Sequence, residues 1–133
     1  MENATIGGIV SVLGGGLVWL LGGWHVTLTA LSIFMTVEVV LRIIAVIANK
    51  KRFTSNDMFK NFGKKVGIIV VIILANQLDM IAGGTPIFRG LAVLYYIGVE
   101  GLSIKEHLSS IGLFFPKAIE EKIDSMQKED KQE

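Results

Sequence analysis

The chain has 133 residues, room for one domain, with a net charge of +1, a hydrophobic fraction of 51% and a mean hydropathy of +0.57. It contains no cysteine, which excludes a disulfide framework, a thiol nucleophile and a thiolate metal site. The near-neutral balance names no charged partner, and the apolar residues fall in long runs that a small water-soluble core does not need.

Residues 4–23 carry no charge, and about 20 such residues cross the hydrocarbon core of a bilayer. A cleaved signal peptide is the rival reading, but the flank offers Glu2 and no basic residue, so a retained span is expected. Gly7, Ser11 and Gly15 recur every four residues. Small residues at that spacing let helix backbones approach closely in lipid, either within one subunit or between copies. A phosphate-binding glycine loop is not supported, since no strand precedes and no Lys-Ser/Thr follows.

Gly22-Gly23-Trp24-His25 reads as a turn at the membrane boundary. The second span is 26–48. It carries Glu38 and Arg42 four residues apart, on one helical face, and each costs roughly 2.5–3.5 kcal/mol in hydrocarbon unless it is paired or wetted.

The connector 49–65 holds Lys50, Lys51, Arg52, Lys60, Lys64 and Lys65 against one acid, Asp57. Short basic loops stay cytoplasmic. That places both termini in the cytoplasm and folds the spans into two hairpins. Thr54 and Asp57 have the spacing of a helix start. Phe59 and Phe62 among lysines suit either a helix lying on an anionic membrane or the solvated beginning of the third span. Nucleic-acid binding is not expected, because retention on the cytoplasmic side already accounts for the charge.

The third span is 66–82, with Asn76 and Asp79 on one face near its outer end; Gly83-Gly84-Thr85-Pro86 is a turn. The fourth span is 87–104. Arg89 stands at nearly the depth of Asp79, and the two are expected to pair. Tyr96, Glu100, Ser103 and His107 are spaced by four, three and four, a polar seam that must face protein or water. A contact between Glu100 and Arg42 is expected from their depths. Glu38, Arg42, Asp79, Arg89 and Glu100 leave one acid in excess.

After Gly112 the chain turns polar. Pro116 suits a helix start, and Ile119, Ile123 and Met126 make a narrow apolar stripe on an otherwise charged tail, 113–133. The tail reads as a cytoplasmic surface helix or as a helix that binds a partner. No catalytic set closes: His25 and His107 fall at opposite membrane faces, and no acid completes a triad with Ser103 and His107. No enzyme, metal or cofactor is expected. The expectation is an all-α integral membrane protein of about four spans (domain 1–112) with a short amphipathic cytoplasmic C-terminal helix.

Several stretches in order carry a family resemblance: Leu21-Gly22-Gly23-Trp24; Ile33-Phe34-Met35 with Glu38; Ala48-Asn49-Lys50-Lys51; Phe59-Lys60 with Gly63-Lys64-Lys65; Leu74-Ala75 with Leu78-Asp79; Glu100-Gly101-Leu102-Ser103-Ile104 with Glu106; then Gly112 and Phe115-Pro116-Lys117. The chain resembles the toxin-secretion/phage-lysis holins of Gram-positive bacteria and their phages over residues 21–123. It departs from them at Glu38, where Asp is usual, at Leu41-Arg42 in place of Thr-Gly, at Asn61 in place of Gly, and at His107 in place of Asn. The resemblance implies a homo-oligomer in the bacterial cytoplasmic membrane that opens lesions for a cell-wall hydrolase or a large exported toxin. Composition alone fits equally a non-lytic subunit of a transporter, channel or secretion assembly.

Overall fold

The computed structural model describes residues 2–52 and 54–131. The outer ends of segments 1–112 and 113–133, and Phe53 in the connector, lie outside the described residues. Five helices follow one another: α1 (Glu2–Leu20), α2 (Val26–Ala48), α3 (Ser55–Ile81), α4 (Ile87–Ser110) and α5 (Lys117–Lys131). The helix α4 is the axis, and α2, α3 and α5 each pack on it.

Helix α1 buries none of its residues. It ends at a turn where Gly22 and Gly23 take φ of 85° and 90°, a region that L side chains rarely adopt. At Gly22 space is limiting as well: a Cβ there would collide with Arg89 Nη1 and Asn76 Oδ1. Trp24 Nε1 donates to Thr29 Oγ1 at 2.6 Å, tying the turn to the start of α2.

Helix α2 coincides with the apolar segment 26–48. Helix α3 does not follow its segment: it begins at Ser55, inside the basic stretch, rather than at 66. Thr54 caps it, its hydroxyl accepting from Asp57 N at 3.1 Å. The connection between α2 and α3 is therefore only 49–54, and residues 55–65 are the first turns of α3 rather than part of a loop or a separate surface helix. Helix α4 likewise runs past 104 to Ser110. Both extensions are polar, so hydropathy alone could not include them.

Three of the described helices, α1, α2 and α4, are long and apolar enough to cross a membrane. The apolar stretch of α3 is hemmed between Lys64-Lys65 and Asp79 and falls short of that length.

The tail turns back. Gly112, at φ 88°, reverses the chain, and the carbonyl of Pro116 accepts from Ile119 and Glu120 N to start α5. Ile123 lies against Gly101 and Gln127 against Gly98, so α5 runs antiparallel to α4. Met126 packs on the core formed by Leu21, Leu28, Leu31, Ile68, Ile72, Val93 and Ile97. Lys105 Nζ donates to Glu120 Oε1 across the same joint. The partner of the tail's apolar stripe is α4 of the same chain. Ile119 remains outside the contact, half exposed.

Candidate functional site

Five side chains from three helices meet where the lower halves of α2 and α4 pass the upper part of α3's basic stretch. Glu38 is wholly enclosed. Its Oε1 accepts from Arg42 Nε at 3.0 Å and Nη2 at 2.5 Å, one helical turn along α2. His107 Nε2 stands 3.1 Å from the same oxygen. A carboxylate only accepts, so this contact assigns the ring proton to Nε2. Lys65 Nζ lies 2.8 Å from Glu38 Oε2 and donates to Glu100 Oε1 at 2.6 Å and Oε2 at 2.5 Å. Lys65 reaches upward from α3 with 14% of its side chain exposed, while Glu100 is buried.

Lys65 is thus the bridge between the two acids. The expected Glu100–Arg42 contact does not form: Arg42 stays on Glu38 and Lys65 takes Glu100. Lys65 also cancels the acid left in excess by the sequence count, giving Glu38, Asp79 and Glu100 against Arg42, Lys65 and Arg89. The signal for it in the sequence is Lys65's place at the edge of the apolar run that begins at Val66. A buried carboxylate without counter-charge would be costly, so the cluster is held by mutual need. A cleft of about 420 Å³ opens beside it, lined by Tyr96, Ser103 and Gly67 along with Glu38, Lys65 and Glu100. The rings of Tyr95 and Tyr96 meet edge to face at 5.3 Å.

Asp79 and Arg89 sit apart from this cluster, at the other end of α4, and their side chains do not pair. Asp79 accepts from the backbone N–H groups of Phe88 at 2.7 Å and Arg89 at 2.9 Å. It thereby caps α4, whose first N–H groups have no partner within the helix. The Arg89 guanidinium instead donates to the carbonyls of Leu21 at 3.1 Å and Gly22 at 2.6 Å, and Asn76 Nδ2 donates to Leu20 O at 3.0 Å. These cations and amides satisfy the open carbonyls at the end of α1. The charged residues therefore make two sites: an ion cluster of Glu38, Arg42, Lys65, Glu100 and His107, flanked by Tyr96 and Ser103, and a capping knot of Asp79, Arg89 and Asn76.

Gly7 and Gly15 face open space, and Ser11 Oγ bonds back to Gly7 O at 2.8 Å. The remaining basic residues, Lys50, Lys51, Arg52, Lys60 and Lys64, are exposed around the α2–α3 connection.

Long apolar helices whose outer faces are unburied, joined by buried ion pairs and capped ends, define a small helical membrane protein. The family model of the bacteriophage holins matches residues 15–128. The chain belongs to that family. A Clostridium perfringens "uncharacterized 14.9 kDa protein in nagH 3′ region" is 32% identical over 120 residues, 90% of this chain and 89% of that one. A second C. perfringens protein is 28% identical over 118 residues, covering 88% and 87%. A "probable holin" of Bacillus phage phi105 is 30% identical over 82 residues, 62% of this chain and 61% of that protein. No solved structure matches.

Proposed function

We propose that the protein oligomerises in the bacterial cytoplasmic membrane, with both termini cytoplasmic, and opens lesions through which a cell-wall hydrolase or a large toxin leaves. The observation that carries this reading is the family match across residues 15–128. The ion cluster supports it physically. Glu38, Arg42, Lys65 and Glu100 satisfy one another inside the monomer. The same groups can be satisfied by water lining a lumen once subunits gather, which makes the cluster a two-state element. In this reading α3 is the fourth, short span, with the charge of Lys65 carried inside the bundle by its pairing with Glu38 and Glu100. Gly7, Ser11 and Gly15, open in the monomer, supply a close-contact face between copies.

The test is induction in bacteria that hold a cytosolic wall hydrolase, followed by turbidity. Abrupt lysis at a set time, advanced by an energy poison, is the expected result. Steady growth with the hydrolase retained would overturn the proposal in favour of a non-lytic membrane subunit.

A further inference from the structure

The geometry points to a binding site for an anionic phospholipid in the cleft between α2 and the start of α3. Helices α2 and α3 both lean on α4 and make no extensive contact with each other. The gap they leave is a cleft of about 400 Å³, within the range of small-molecule sites. One side of it is apolar, formed by Val39, Ile43 and Val46 of α2 and by Met58 and Phe62 of α3. Ile43, Met58 and Phe62 are exposed, Phe62 at 67%. Arg52, Lys60 and Lys64 line it as well. No acid lies within ion-pair distance of these three among the described residues, whereas the neighbouring Arg42 and Lys65 are already engaged by Glu38 and Glu100. Asp57 is the one acid lining the cleft outside that cluster.

Cytoplasmic retention needs basic residues near a span but no particular arrangement of them. Here three cations with no acid in ion-pair range among the described residues line the same cleft as the exposed apolar side chains Ile43, Met58 and Phe62. A phosphodiester in the cleft would meet the cations, and its acyl chain would run along Val39 and Ile43. A free phosphate would use only the cations, and a zwitterionic lipid would bring its own cation to an already positive cleft. Basic pockets between membrane helices hold anionic headgroups for this reason. The inference rests on membrane placement and not on lesion formation, so it can fail or succeed independently of the lysis test.

The full-length protein in detergent is offered phosphatidylglycerol or phosphatidylcholine with matched acyl chains, and bound lipid is counted by native mass spectrometry. Selective retention of phosphatidylglycerol is expected, with no displacement by glycerol 3-phosphate. The triple variant Arg52→Gln/Lys60→Gln/Lys64→Gln should lower phosphatidylglycerol affinity by on the order of 10–100-fold. Arg52→Lys/Lys60→Arg/Lys64→Arg should keep it, as should Lys117→Gln/Lys122→Gln/Lys128→Gln, which removes equal charge from α5. Ile43→Gln/Phe62→Gln should weaken both lipids together. Equal retention of the two lipids by the unaltered protein overturns the site, and that measurement stands even if the Gln triple does not fold. So does an equal loss in the α5 triple, which would reduce the effect to bulk charge. Release of phosphatidylglycerol in step with dimer formation would assign the cleft to a second copy and also overturn it.

Discussion

Helices α1 and α4 are of similar length and both apolar enough to span a bilayer, yet the chain treats them oppositely. Helix α1 has no charge after Glu2 and buries none of its residues, and Asn76 and Arg89 bond to the backbone carbonyls where it ends, at Leu20, Leu21 and Gly22. Helix α4 carries Arg89, Glu100 and His107 and is touched by every helix after α1. In water the more hydrophobic helix would be the better buried. In lipid, hydrocarbon outside the bundle is as good a neighbour as Leu within it, so apolarity drives insertion and does not select a partner. Position within the bundle is set by groups that lipid cannot satisfy. Helix α4 has them and α1 lacks them, and that difference explains why one is the axis and the other an outlying arm.

If buried charge fixes the bundle, the largest effect should come from the residue that serves two acids. Replacing Lys65 with Met removes the ammonium that donates to both Glu100 oxygens and strips Glu38 of one of its cations. Breaking a buried pair from one side costs about 3–5 kcal/mol, a large share of the stability of a chain this size. Lys65→Met should therefore lower membrane accumulation and the detergent unfolding midpoint sharply. Adding Glu100→Gln should restore much of both, because the remaining Glu38–Arg42 pair is balanced. If Lys65→Met is neutral, charge does not organise α4 and the contrast with α1 needs another cause.

The capping knot comes next. Asp79 accepts two backbone N–H bonds from α4, and bonds to a charged group contribute roughly 1.5–3 kcal/mol. Asp79→Ala should cost about 2 kcal/mol and speed hydrogen exchange at Phe88 and Arg89, leaving the amides near Glu100 protected. Arg89→Leu should act differently. It frees the carbonyls of Leu21 and Gly22, so added exchange and labelling should concentrate at the α1–α2 turn. Equal disturbance along the whole of α4 in either variant would mean that the two ends of the helix are not separate sites.

How much of this was legible follows from what each residue needs. Helix α2 could be read to its ends because its boundaries are both hydropathic and stereochemical: a Gly-Gly turn before it and a basic loop after it. The start of α3 could be read from the Thr54–Asp57 capping spacing, with 55–65 as the solvated beginning of the third span being one of two readings, whereas the end of α4 could not, since 105–110 is polar and helical through packing rather than apolarity. Glu38, Arg42 and Glu100 stood out as charges in hydrocarbon, and spacing placed Tyr96, Ser103 and His107 on one face. Their partners were harder to assign. Depth along a helix gives height but not azimuth, so Arg42 was matched to Glu100 where Lys65 takes it, and Asp79 and Arg89 could be level without their side chains meeting. The return of α5 was hidden for a related reason. Its stripe left a surface helix and a partner-binding helix both open, and Gly98 and Gly101, the places where α4 has room for it, look in sequence like any glycines of a membrane helix.

That joint predicts a smaller effect. A Cβ at Gly101 would come within 3.0–3.2 Å of Ile123 side-chain atoms, closer than packed carbons prefer. Gly101→Leu should push α5 off α4 and increase tryptic cleavage at Lys117 and Lys122. The net stability cost should be about 1 kcal/mol, since overpacking is partly offset by better helix propensity. Gly90→Leu is the matched control, because nothing lies within 4 Å of a Cβ there. Equal cleavage in the two variants would show that α5 is not held by the Gly98–Gly101 face.

The smallest effect on the fold should come from α1. Gly7 and Gly15 have open space where a side chain would go, so Gly7→Ile/Gly15→Ile should leave the monomer's unfolding midpoint unchanged or slightly raised, helix propensity gaining over glycine. If the small residues serve contact between copies, the same pair should reduce cross-linked oligomers in membranes, because bulk at such a face keeps backbones apart. The pair of readouts separates the two helices cleanly. A drop in monomer stability would mean that α1 packs on the bundle after all, and unaltered cross-linking with unaltered stability would leave α1 as a membrane anchor with no contact role for its glycines.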